Sequence, residues 1–183
     1  LPIIDDGSTS LNVNRGTIDF YLQPYWSGPD TSVSQKIFVI KDIVGNPIFE
    51  FFKQDKYLIW KQYFDVIGGS SNPGTQNLIQ IDLSNTLLMA KNIYHIRLSW
   101  CSDENEAVSN IYINGKKVGP GLYRYNKLDN RNYTLQIGDI ETLNAGCVIE
   151  NFIIYNAVFE NETNNDIKWP GLPLDVIYGD SLL

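Results

Sequence analysis

Residues 111–118 read Ile111-Tyr112-Ile113-Asn114-Gly115-Lys116-Lys117-Val118. An apolar and aromatic run enters an Asn-Gly pair and continues beyond it. Both central residues of a type I′ turn need positive φ, which Asn and Gly tolerate, so the stretch reads as a β-hairpin. The same punctuation marks much of the chain. Asp6-Gly7, Asn14-Arg15-Gly16, Ser27-Gly28-Pro29, Gly45-Asn46-Pro47, Gly68-Gly69-Ser70, Asn72-Pro73-Gly74 and Gly119-Pro120-Gly121 are further turn signals. They recur at intervals of roughly eight to fifteen residues, a rhythm that points to an all-β sandwich or barrel.

Between the turns lie short runs rich in Val, Ile, Tyr, Phe and Trp, the residues that suit a pleated, half-buried surface. Thr17–Leu22 alternates Ile18, Phe20 and Leu22 against Thr17, Asp19 and Tyr21, which puts one apolar face on a core. Lys36–Lys41, Pro47–Phe52, Tyr57–Gln62, Leu78–Ile81, Tyr94–Trp100, Asn110–Ile113, Thr134–Ile137 and Val148–Tyr155 follow as strands. In the last of these, Glu150-Asn151 interrupts the apolar run. Helix signals are weak. Leu83–Asn92 has room for one or two turns and Asn161–Ile167 for a short one, too little to organise a layer. The expectation is one domain over residues 1–183, with a core over about 8–160. The stretch 161–183 then packs along an edge or connects to a neighbour.

With 183 residues, the chain is long enough for one sizeable core without disulfides. Hydrophobic residues make up 43% and charged residues 19%, which excludes a disordered chain. No apolar run approaches the ~20 residues that cross a bilayer as a helix. Lys and Arg number 14 against 21 Asp and Glu, a net charge of −7. Without a basic block there is no counterion release to drive generic binding to nucleic acid or to an anionic membrane. Cys101 and Cys147 are too few for a disulfide scaffold and are either bridged or two buried thiols. With one histidine, His95, and no C-x-x-C, a Cys/His zinc site lacks its ligands. The chain starts at Leu1 and reads as a piece of a longer or processed protein.

Four segments, in order, resemble the laminin-G-like, concanavalin-A-like lectin and glucanase jelly-roll superfamily. Gly16-Thr17-Ile18-Asp19-Phe20-Tyr21-Leu22-Gln23-Pro24-Tyr25-Trp26 is similar to that family's early strand. Tyr94-His95-Ile96-Arg97-Leu98-Ser99-Trp100 is similar to its Trp-terminated strand, and Ile111-Tyr112-Ile113-Asn114-Gly115-Lys116 resembles its "L-Y-V-D-G-K" hairpin. Gly138 and Ala145–Asn156 resemble its closing strand. The resemblance implies two curved, antiparallel sheets in an all-β sandwich. It implies no single function, since one fold hosts many.

Retaining glucanases of that superfamily carry E-x-D-x-x-E on one strand, because two carboxyl groups must stand about 5–5.5 Å apart. The pattern is absent here. The nearest carboxylates, Asp103-Glu104-Asn105-Glu106, fall in a loop between strands. His95, the sole imidazole, lies in a strand motif and reads as structural. There is no G-x-S-x-G, and Gly68-Gly69-Ser70-Ser71 lacks the lysine and helix of a phosphate-binding loop. The chain reads as a non-enzyme.

Glycan binding is the first expectation. Sugar rings present C–H faces that pack on exposed aromatics, and the chain holds four Trp, eleven Tyr and eight Phe. Tyr25 and Trp26 precede a turn at a strand end. Tyr57, Trp60 and Tyr63 are spaced three apart, so on a strand Trp60 points opposite to Tyr57 and Tyr63. These five are the candidate ligand residues. By the resemblance, calcium is expected at a rim. Asp103, Glu104 and Asp139 are the candidate ligands, with Asp129 and Glu141 in similar loops, because hard cations take six to eight oxygens. The alternative is a structural or assembly module of a virion or cell-surface protein, contacting a neighbouring protein domain and binding no small molecule. Both readings place the domain in a larger extracellular or virion-associated protein.

Overall fold

A computed structural model describes residues 11–42, 44–63, 76–85, 87–103, 106–122, 133–138, 146–156 and 158. Ten strands follow in order: β1 (Arg15–Pro24), β2 (Ser34–Lys41), β3 (Pro47–Gln54), β4 (Tyr57–Tyr63), β5 (Gln76–Asp82), β6 (Tyr94–Asp103), β7 (Glu106–Ile113), β8 (Lys116–Leu122), β9 (Thr134–Ile137) and β10 (Cys147–Tyr155). They form two five-stranded sheets, ordered β10-β1-β6-β7-β8 and β5-β4-β3-β2-β9. Every pairing within them is antiparallel. The sheets pack face to face, and β5 and β8 also touch along one side. Among the described residues there is no helix, and those of Leu83–Asn92 form turns and bends instead. Asn161–Ile167, the 161–183 stretch and Gly68–Ser71 lie outside the described residues.

The period-two pattern of β1 sets the core. Ile18, Phe20 and Leu22 are fully buried between the sheets. Phe20 meets Phe38 and Phe51 edge-on, both at 5.9 Å between ring centroids, and stacks on Phe152 at 5.5 Å. Phe49, Trp60 and Trp100 form a second aromatic cluster, with Phe49 4.9 Å from Trp100 and 6.2 Å from Trp60. Gly16 stands opposite Trp100 on the neighbouring strand. A Cβ there would fall 2.5 Å from the indole ring, so the position must be glycine for Trp100 to lie as it does.

The hairpin at 111–118 forms as its sequence dictates. Asn114 and Gly115 take φ of 51° and 78°, and β7 pairs with β8 on either side. The Asn114 side chain also accepts a hydrogen bond from the His95 amide at 2.8 Å, tying the turn to β6. The polar break in β10 is a β-bulge. The register against β1 shifts between Asp19 and Tyr21, and Asn151 takes a φ of 51°. The extra residue leaves Phe152 on the core side, against Phe20. At the other end of the first sheet the expected loop shrinks. β6 runs to Asp103, opposite Glu106 at the start of β7, leaving only Glu104-Asn105 between the strands.

The two cysteines are free and buried. Cys101 pairs with Arg15 at the start of β1, and Cys147 with Pro24 at its end. A strand of that length spans roughly 30 Å, whereas a disulfide needs Cα atoms within about 7 Å. Burial pushes the Cys147 thiol up to about 11, far from the thiolate that reacts at neutral pH. Ellman's reagent at pH 8 is therefore expected to titrate the two thiols slowly in the folded protein and at once in denaturant. Rapid labelling of Cys147 in the native state would contradict this burial.

Candidate functional site

Alternation along β4 sorts the three aromatics there. Trp60 faces the core with no exposed surface, while Tyr57 and Tyr63 lie half-buried on the outward face. Register then assembles that face across four strands. Gln54, Tyr57 and Asp82 form one row. Lys36, Phe52, Ile59 and Gln80 form the next. Glu50, Lys61 and Leu78 form the third. Rows step by about 7 Å along the strands and about 4.8 Å across them. Tyr63 opens a fourth row, so the platform is roughly 20 Å along the strands and roughly 14 Å across them, the size of a short oligosaccharide.

Its interactions are mixed. Lys61 Nζ lies 5.1 Å from the Phe52 ring centroid, and Lys56 Nζ 5.3 Å from that of Tyr57. Lys36 pairs with Glu50 at 3.0 Å, and Lys56 with Asp82 at 3.0 Å. Tyr63 Oη donates to Glu50. Burial, then that hydrogen bond and the Glu50 charge, push the Tyr63 phenol well above its ordinary value, so it remains a donor at any ordinary pH. Asp82 is held down at about 2, first by hydrogen bonds from Ser84 and then by Lys56. Leu78 is exposed beside Lys61. Apolar ring faces and polar groups thus share one surface.

The five candidate rings are not brought together. Trp26 is 5% exposed and Trp60 fully buried, so neither offers a face to a sugar. Trp60 is lost to the core by its parity on β4. Trp26 lies under the Lys53 ammonium, 5.3 Å from its ring, and Lys53 is itself fully buried, donating to the carbonyls of Asp30 and Asp55. Desolvation lowers the Lys53 pKa. Tyr25 is 62% exposed but follows β1 on the other sheet, its amide bonded to the Gly146 carbonyl at 2.9 Å. Only Tyr57 and Tyr63 share the platform. Phe52, Lys61 and Gln80 were missing from the sequence reading, and only cross-strand register reveals them.

The outward side of the first sheet carries a different constellation. Arg97 donates from Nε and Nη2 to Asp19 Oδ2 at 2.9 and 2.7 Å, and His95 Nε2 bonds Asp19 Oδ1. Asp19 and Arg97 are both buried. The Tyr21 ring packs on His95 at 5.2 Å. Burial, reinforced by the Asp19 charge, pushes Tyr155 up to about 12. His95 thus sits in an ion cluster that ties β1 to β6. Beside it, Tyr21, Gln23, Ile93, Val148 and Glu150 line an open depression of about 200 Å³, solvent included.

Among the described residues no three His, Cys, Asp or Glu side chains gather around a common point. Asp103 ends β6. Glu104 and Asp139, with Asp129 and Glu141, lie outside the described residues.

Two antiparallel five-stranded sheets around one aromatic core define a β-sandwich module. Among solved structures the chain is similar to receptor-binding domains of botulinum neurotoxins. The binding domain of botulinum neurotoxin DC in complex with SialylT is 13% identical, over 80% of this chain and 33% of that one, with a TM-score of 0.56. The serotype D binding domain is 14% identical, over 85% and 37%, with a TM-score of 0.59. A type C structure, described as showing cell entry dependent on two ganglioside molecules, is 15% identical, over 82% and 34%, with a TM-score of 0.56. Identity this low shows the fold alone, and the chain spans about a third of each domain. No family model matches the sequence, and no curated protein does. The sandwich that the laminin-G-like resemblance implies is present, while the family itself has no matching model.

Proposed function

We propose that the domain is a non-catalytic recognition module that binds glycan on the outward face of the β5-β4-β3-β2-β9 sheet, within a larger extracellular protein. One observation carries the reading: Tyr57, Phe52 and Tyr63 lie half-buried on a platform edged by Gln54, Lys61 and Gln80. Aromatic faces beside hydrogen-bonding side chains are what a sugar ring's two kinds of surface require. Similarity to receptor-binding domains supports a binding role over a catalytic one.

A glycan array probed with the purified domain tests the reading. It is run with calcium and again with EDTA, because the sequence gathers carboxylates at the β6–β7 tip. Loss of a stacking ring costs about 0.5–1.5 kcal/mol, so Tyr57→Ala is expected to weaken the bound sugar roughly two- to tenfold. Tyr25→Ala, on the other sheet, is expected to leave binding unchanged. Silence of the wild-type domain in both conditions would sink the proposal.

A second reading, a protein-contact module, draws on the opposite sheet. Ile93 and Tyr25 are each 62% exposed there, and Ile93 lines the depression with Tyr21 and Val148. Exposed apolar and aromatic side chains in one region suit a protein neighbour.

A further inference from the structure

We infer that the sugar bound on this platform is anionic, bearing a carboxylate or a sulfate, and that Lys61 receives its charge. The inference rests on the glycan reading above and adds the chemical class of the ligand.

Lys61 stands directly opposite Glu50 on β3 and Leu78 on β5. An opposed lysine and glutamate on one sheet face are natural ion-pair partners. Here the glutamate is already taken. Glu50, its side chain only 13% exposed, binds Lys36 at 3.0 Å and accepts from Tyr63 Oη. Lys61 turns instead to the Phe52 ring. A ring face attracts an ammonium without neutralising it. Among the described residues no carboxylate meets Lys61.

The surroundings point the same way. Lys36, Lys41, Lys56 and Lys61 lie on this face or at its edge, against the carboxylates of Glu50, Asp82 and Asp55, the last beside Lys56 in the β3–β4 turn. The two carboxylates beside the platform rows, Glu50 and Asp82, are committed, to Lys36 and to Lys56. Lys41 spends its proton on a neutral acceptor, Gln136 Oε1, at 3.1 Å. A locally cationic surface on a chain of net charge −7 is a local reversal. Such a surface concentrates anions where the rest of the molecule repels them. Phe52 supplies a ring face one residue row from Lys61, with Tyr57 a row further on, so a single acidic sugar can stack on Phe52 and pair with Lys61 at once.

The test immobilises three probes: sialyllactose, chondroitin sulfate and neutral lactose. The wild-type domain is expected to bind at least one anionic surface roughly tenfold more tightly than lactose, as one charge-assisted hydrogen bond allows. Lys61→Gln is expected to lose that advantage, and Lys61→Arg to keep most of it. The melting temperature of each variant confirms that it folds. Preference for sialyllactose assigns a carboxylate, and preference for chondroitin sulfate assigns a sulfate. Lactose bound as tightly as both anionic probes overturns the inference and leaves the glycan reading standing. An anionic preference untouched by Lys61→Gln removes Lys61 from the role. Retention on none of the three surfaces, with silence on the array, defeats both readings.

Discussion

Trp60→Ala is expected to cost about 3–5 kcal/mol of stability, the range for truncating a buried aromatic. The indole is fully buried and packs against Phe49 and Trp100, themselves fully buried. Removing it leaves a cavity between the sheets that neither neighbour can fill without leaving its own contacts. A loss of that size is a large share of the roughly 5–15 kcal/mol that holds a domain folded. The melting temperature should fall sharply, and any loss of binding should follow unfolding. Trp60→Phe should recover much of the stability. A Trp60→Ala protein that melts like wild type while losing its ligand would return the residue to the surface.

Asp19→Ala is the second large effect. Asp19 takes both Arg97 hydrogen bonds on one oxygen and the His95 imidazole on the other. Removing the carboxylate takes the Asp19 charge away from the buried guanidinium, and breaking a buried pair in this way typically costs about 3–5 kcal/mol. Replacing Asp19 and Arg97 together by apolar residues of similar volume should cost far less, because a buried pair recovers little beyond its own desolvation. Urea denaturation of the single and double variants measures the difference. Equal destabilisation by both would mean that the cluster stabilises through packing and not through charge.

The strands were legible because their chemistry is local. Thr17–Leu22 alternates within six residues, and Asn114-Gly115 names its own turn. The polar pair Glu150-Asn151 was visible as an interruption, but only the shifted register identifies it as a bulge. The candidate site was half legible. Parity alone placed Trp60 opposite Tyr57 and Tyr63, yet it does not say which side is the core. Trp26 gave no such signal: it joins the core under Lys53, a buried lysine that sequence patterning assigns to solvent. The Asp19–Arg97 contact bridges 78 positions. Nothing local announces it, since the partners meet only once β1 and β6 are in register.

The strand order also dictates a sequence of assembly. β2, β3, β4 and β5 are consecutive neighbours, so this meander can pair as soon as its own residues leave the ribosome. β1 cannot. It is made first, yet it lies between β6 and β10, the last described strand. Until both arrive, its apolar face and one or both of its hydrogen-bonding edges have no home. Closing such distant pairings is entropically slow. A nascent chain stalled before Cys147 would hold the meander together but leave β1 open on one side, the condition under which strand edges find the wrong partner.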